Sequence, residues 1–362
     1  MGPISTRATR TLLCQATVAT FLLALAGAGY AAQRLVVAKG DNNILPSEEI
    51  LLYAIAHEMK YFEKEGLAVE FQLAQGSGMA AQLLQTGSAQ VATVSPEITM
   101  KGRDQGGGIV AFYNLKTLSG YSIAVPPDSA IKSLADLKGK TIGVSTLGTS
   151  LLPPLTQDLS QLGLNRRTDY TVVAAGTGAP AATALATGKV DALGLWETAY
   201  ASIENQGVTL RHIEVPILSK MPAYVLATTD DQLAKDRKSI EGYCRAVTKA
   251  TVFAQANVDA AILLFKRAFP ITQKAGDGAP EELQKTRRVF EAWLARARGG
   301  QRPGTQIGEL YADQWVFAYD YYKSAGTIQG KSNVQQAYTN DLIKACNDFS
   351  VEEVRQQAIA FK

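Results

Sequence analysis

Two histidines, His57 and His212, and three cysteines, Cys14, Cys244 and Cys346, are the whole of this 362-residue chain's supply of the side chains that most often do covalent or metal chemistry. None of them stands at a metal-ligand spacing from another, and no Gly-x-Ser-x-Gly elbow is present. Gly139-Lys140-Thr141 and Gly330-Lys331-Ser332 have the end of a phosphate-binding loop, but the glycine required earlier in that motif is Leu134 in one and Ala325 in the other. Neither catalysis nor a metal or other cofactor is therefore expected.

The chain offers instead a set of turns rich in Gly, Ser, Thr and Asn, which suit reversible capture of a polar molecule. Thr146-Leu147-Gly148-Thr149-Ser150 runs into a predicted helix, so its N–H groups and hydroxyls could seat an anionic group with the helix dipole behind them; simple capping by Thr149 or Ser150 is the alternative. Gly76-Ser77-Gly78 allows a ligand close to the backbone or is just a tight turn. The same choice applies to Asn42 and Asn43 in the turn after Gly40, which carry both donors and acceptors. Ser95 and Glu97, Gly176 with Gly178, and Trp196-Glu197 complete the set. Trp196 could stack on a planar ligand and Glu197 could accept from an amine.

These turns earn attention because of the elements around them. Leu35 to Lys39, Val69 to Leu73 and Val91 to Val94 read as strands, separated by helices over Ser47 to Phe62, with Ser47 as its cap, and Met79 to Thr86. The order restarts at Thr141: strands over 141–145, 171–175 and 190–196, helices over 150–162 and 179–187. Residues match as well as patterns. Gly66-Leu67 corresponds to Gly163-Leu164, Gly76-Ser77-Gly78 to Gly176-Thr177-Gly178, and Leu84 to Gly87 to Leu185 to Gly188. Alternating strands and helices predict parallel sheets with right-handed crossovers, and ligands in such sheets sit beyond the carboxyl ends of the strands, where all the nominated turns lie.

The fold class expected is thus α/β with two lobes, each a mostly parallel sheet flanked by helices, and a ligand cleft between them. The chain crosses near Tyr121 to Val125 and returns through a strand at Tyr224 to Ala227, giving one lobe from 33–120 plus 224–362 and the other from 121–223. From Asp230 onward the pattern is helical: Ser239 to Asn257, Ala260 to Arg267, Glu281 to Ala297, Ala312 to Lys323 and Val334 to Asn347.

Arg7, Arg10, an apolar run from Ala16 to Gly29 and small residues around Ala31 read as an export signal over 1–32, the run being short for a spanning helix. Its removal takes two arginines and no acids, so the formal charge falls from +3 to +1, and nothing calls for nucleic acid. Cys244 and Cys346 remain, either paired in an oxidising compartment or as two buried thiols.

Ile131-Lys132-Ser133-Leu134-Ala135-Asp136-Leu137-Lys138-Gly139-Lys140-Thr141-Ile142-Gly143-Val144 resembles a stretch of the solute-binding proteins of the nitrate, sulfonate and taurine type that serve ABC importers. Tyr61-Phe62 to Gly66-Leu67, Leu84 to Val91, Gly188 to Glu197 and Tyr338 to Ile343 resemble them too. The resemblance implies a periplasmic, hinge-closing receptor without catalysis, whose partners are a small-molecule ligand and an inner-membrane ABC permease; a monomer is expected. Fold does not decide function, so an enzyme on the same two-lobed fold, of the pyrimidine-synthesis kind for example, is the alternative.

The acids bear on the ligand. If Glu97 and Glu197 both face the cleft as carboxylates, a bare anion would be repelled, which favours amine-bearing sulfonates, other zwitterions or nitrogen heterocycles.

Overall fold

The computed structural model describes residues 32–40, 44–273 and 279–361. The expected export signal, apart from Ala32, lies outside them, as do Asn42 and Asn43. Beginning the chain are β1 (Gln33–Lys39), a π-helical turn (Ile50–Ala54) that enters α1 (Ile55–Glu58), α2 (Tyr61–Lys64), β2 (Leu67–Leu73), α3 (Ser77–Gln85), β3 (Val91–Val94), α4 (Pro96–Asp104) and β4 (Ile109–Lys116). Then come β5 (Tyr121–Val125), β6 (Thr141–Val144), α5 (Leu152–Gln161), β7 (Thr171–Ala174), α6 (Ala179–Ala186), β8 (Ala192–Trp196), α7 (Glu197–Glu204) and β9 (Arg211–Ile213). After β10 (Tyr224–Thr229) the chain is helical: α8 (Asp230–Ala256), α9 (Val258–Ala268), α10 (Pro280–Arg298), α11 (Ala312–Ser324), α12 (Ile343–Cys346) and α13 (Val351–Ala360).

Two five-stranded sheets result, in the orders β2-β1-β3-β10-β4 and β7-β6-β8-β5-β9. In each, four strands share a direction and the fourth in order runs against them: β10 in the first sheet and β5 in the second. These reversed strands are the first that the chain lays down after each crossing between sheets. Consequently β4 ends, and β5 and β10 begin, at the same edge as the carboxyl ends of the parallel strands. Tyr224 faces Lys116 across β10 and β4, and Tyr121 faces Trp196 across β5 and β8. Both crossings therefore run along the edge where α/β sheets hold ligands.

The inner strands are buried on both faces, as parallel sheets require, whereas the edge strands β2, β7 and β9 are partly exposed. Leu35, Val37, Val91 and Phe112 pack against α8 and its neighbours through Tyr243, Val247 and Phe253, whereas Val36, Ala38 and Ala92 join a second cluster. That second cluster continues through Trp315, Ala318 and Tyr321 of α11 to Ile123, Ile142 and Val144 of the other sheet. Cys244 of α8 and Cys346 of α12 form a disulfide, with Cα atoms 5.1 Å apart, which decides between the two readings of these residues.

Three helical expectations are corrected. The helix over Ser47 to Phe62 is broken: Lys60 has a left-handed φ of 58°, and Ser47 caps nothing, its hydroxyl donating to Glu49 at 2.7 Å. The helix expected from Ser150 begins at Leu152, with no side-chain cap, so Thr149 and Ser150 do not have the capping role. Val334 to Asn347 is not continuous, because Asn340 turns its carboxamide on the backbone of Leu310, accepting from its N–H and donating to its C=O, both at 2.9 Å, while Thr339 N–H donates to Ala111 of β4. A polar side chain that satisfies neighbouring backbone competes with the helix ladder.

Candidate functional site

The edge shared by the two sheets carries a chain of buried charges. Lys39, which closes β1, is 1% exposed, and its Nζ lies 3.1 Å from Glu49 and 3.4 Å from Glu48. The broken helix explains the contact: its π turn follows directly on Glu49, bringing two successive acids onto one lysine. Leu45 N–H and the Ser47 hydroxyl also bond Glu49. Burial, reinforced by the neighbouring Glu48, pushes the Glu49 carboxyl up to about 8. Burial acts on Glu48 too, but Lys39 and Lys116 outweigh it and hold Glu48 below its ordinary value.

Lys116, at the end of β4, continues the chain across to the other sheet, where it pairs with Glu197, the first residue of α7. Glu197 is 8% exposed; one carboxylate oxygen meets Lys116, and the other is buried without a hydrogen-bond partner. Room for it exists because the crossing residue is Gly120: a Cβ there would overlap Glu197 Oε2. The crossing is held from outside by the end of α10. Thr117 and Leu118 N–H donate to Ala297 and Arg296 carbonyls at 3.1 and 3.0 Å, and Trp293 lies beneath the Lys116 ammonium, 5.8 Å from ring centre to Nζ. At its other end α10 is fixed on α7, where Asn205 donates to the Lys285 carbonyl and accepts from Arg288.

Polar groups of the first sheet surround this chain. Thr93 Oγ1 accepts from Gly40 N–H at 2.8 Å and lies 3.0 Å from the Tyr224 hydroxyl. A Cβ on Gly40 would come within 2.5 Å of the Thr93 carbonyl and 2.7 Å of that hydroxyl, so only glycine fits at the end of β1. Ser77 and Ser95 are brought together, Ser77 Oγ accepting from Ser95 N–H at 3.1 Å. Gly76 has a positive φ that its turn requires, whereas Gly78 faces open space, so no protein atom demands a close approach there. Glu97, on the first turn of α4, lies within electrostatic reach of Tyr321 and Tyr322 of α11 and raises both phenols in concert with their burial.

From the second sheet, Trp196 ends β8 with its ring edge-on to Tyr121, centroids 6.0 Å apart. The buried hydroxyl of Tyr200 fixes the start of α7 by accepting from Leu195 N–H at 2.7 Å. Thr146, Gly148 and Ser150 are exposed in the turn after β6 and Thr149 is buried; Gly194 permits this turn to lie close, since a Cβ there would come 2.7 Å from Leu151. Gly176 and Gly178 take positive φ in the turn after β7.

The charges that organise this edge, Lys39, Glu48, Glu49 and Lys116, were not among the residues nominated from sequence, nor were Thr93, Gly120 and Tyr224. A lysine closing the apolar run Leu35-Val36-Val37-Ala38 ahead of paired glutamates was the one available signal. The histidines lie elsewhere: His57 is in α1, stacked on Tyr53, and His212 is in β9 beside Ser122. Among the described residues no group of three His, Cys, Asp or Glu side chains could hold a metal ion, and no helix is long and apolar enough to cross a membrane.

A family model described as NMT1/THI5 like matches residues 48–261. The riboflavin-binding protein RibY of Chloroflexus aurantiacus is 22% identical over 302 residues, which span 83% of this chain and 84% of RibY. The periplasmic aliphatic sulphonate binding protein SsuA from Escherichia coli superposes with a TM-score of 0.63 at 19% identity, over 84% of this chain and 91% of that one. The desulfurization enzyme DSZB does so with a TM-score of 0.54 at 16% identity, over 86% of this chain and 99% of DSZB. At these identities the structural likenesses establish the fold.

Proposed function

The chain belongs to the NMT1/THI5-like family, and from that premise we propose that it is an extracytoplasmic solute-binding receptor which closes on a small polar molecule without net charge and delivers it to an ABC-type permease. The ligand class in this reading is a nitrogen heterocycle, or a zwitterion that brings its own counter-charge. The lobes are residues 33–120 with 224–362 and residues 121–223, the protein works as a monomer in the periplasm, and its cleft is lined by the turns at Gly76 to Gly78, Ser95, Thr146 to Ser150 and Gly176, together with Trp196 and Glu197.

The observation that carries the ligand class is the charge balance at the sheet edge. Lys39 and Lys116 face the carboxyl groups of Glu48, Glu49 and Glu197, so each cation already has an acidic partner and a bare anion would meet no unanswered charge among the described residues. Desolvating a charge that nothing answers is unfavourable. The Tyr121–Trp196 pair supplies an aromatic wall suited to a planar ring. RibY is named for riboflavin, a ring-bearing ligand, whereas SsuA is named for aliphatic sulphonates; the balance of charge favours the former kind.

DSZB demonstrates that an enzyme can use this fold. The receptor reading is preferred because His57 is stacked on Tyr53, His212 is engaged with Ser122, and the buried acids of the sheet edge are engaged with lysines. A thermal-shift panel tests the proposal: uncharged heterocycles and zwitterions should raise the melting temperature saturably, and nitrate and simple alkanesulfonates should not. The reverse pattern would overturn it.

A further inference from the structure

Arg298, the last residue of α10, is a cation without a counter-charge among the described residues. Its Nε is buried with no hydrogen-bond partner, and no carboxylate of the described residues pairs with it, although the nearby Arg287, Arg296 and Arg302 all have ion-pair partners. Burial lowers its pKa against the opposing influence of the Tyr113 and Tyr311 phenols. A guanidinium in this condition is incomplete, because its planar fork of donors is matched to a carboxylate.

Arg298 lines a shallow, largely open groove between the α8–α9 junction and α10. Val258 and Leu294, both partly buried, form apolar walls, and the exposed Gln255 adds a carboxamide at the rim. Glu291 also lines the groove, but its carboxylate is taken by Arg287 one turn earlier at 2.8 Å. That acid is close enough to disfavour a doubly charged occupant while leaving a singly charged one acceptable.

We propose that this groove is a binding site for a small monocarboxylate, separate from the cleft between the sheets. The carboxylate takes the Arg298 guanidinium, and a short apolar body lies between Val258 and Leu294. The occupant covers the two apolar walls and brings the single negative charge that the site lacks.

Calorimetric titration of the mature chain with butyrate, n-butylamine and inorganic phosphate tests the assignment. Saturable binding of butyrate is expected, with weaker binding of phosphate and none of butylamine, which has a similar body and the opposite charge. Arg298→Met should weaken butyrate roughly tenfold or more, the weight of one charge-assisted pair. Val258→Trp fills the groove and leaves Arg298 in place, so it should abolish butyrate binding even if Arg298→Met fails to fold. Equal binding of butyrate and butylamine, undiminished binding in either folded variant, or no binding of butyrate to the wild-type chain would each overturn the proposal.

Discussion

Glu197 Oε2 occupies the space that a side chain on Gly120 would need. The first crossing between the sheets thus passes directly over a buried carboxylate whose other oxygen is paired with Lys116, and the missing Cβ is what allows the pair to form. Gly120→Ala should therefore displace Glu197 and leave Lys116 buried beside Trp293 without its partner. Breaking a buried pair in this way costs about 3 kcal/mol. Urea unfolding should show that loss; a variant as stable as the wild type would mean that the pair can re-form elsewhere.

Glu49 makes stability depend on pH in a defined direction. Its carboxyl titrates at about 8 in the folded chain, well above the ordinary 4.5, so between those values the folded state holds a proton that the unfolded state has released. This contribution is complete below the unfolded value and is lost as the pH rises through the folded one. Glu48, shifted downward, acts only at the acid end, where its contribution is lost as the pH falls through its folded value. Melting curves between about pH 5 and pH 9 should decline with rising pH, and Glu49→Gln should flatten that decline. Parallel curves for the two proteins would contradict the assignment.

The disulfide joins residues separated by 102 positions and ties α8 to α12. Closing a loop of that size restricts the unfolded chain by about 4 to 5 kcal/mol in the chain-entropy model. Cys244→Ser with Cys346→Ser should lower the melting temperature strongly, and reducing agent should do the same to the wild type but leave the double variant unchanged. Insensitivity of the wild type to reduction of the bond would contradict this.

Much of the architecture is legible in the sequence because the signals are local. Val91 to Val94 is rich in β-branched residues and bounded by turns, and the matched pairs such as Gly66-Leu67 and Gly163-Leu164 end helices in both halves, so strands and crossovers follow from period and punctuation. What fails depends on contacts distant in sequence. Lys60 breaks a helix whose apolar spacing continues past it, and Asn340 breaks another to serve Leu310. The site divides in the same way. Turns such as Gly76 to Gly78 announce themselves by composition, but Lys39, Glu48, Lys116 and Glu197 form one network only after two sheet edges meet. Of the two acids expected to call for a cationic ligand group, Glu197 is already paired with Lys116 of the chain, while Glu97 lies near Tyr321 and Tyr322.

Trp196 is the aromatic wall of the proposed cleft. Trp196→Ala should weaken the cleft ligand roughly tenfold, equivalent to about 1.4 kcal/mol of lost contact, with Trp196→Phe recovering most of it. Calorimetry with a ligand taken from the thermal-shift panel measures both. Equal affinity of all three proteins would remove Trp196 from the site.

Mass spectrometry of the small molecule released when the purified protein is unfolded tests the central claim most directly. The charge-balanced edge predicts one unmodified, ring-bearing or zwitterionic solute of zero net charge per chain. Release of nitrate, a simple alkanesulfonate or a chemically converted product would contradict it.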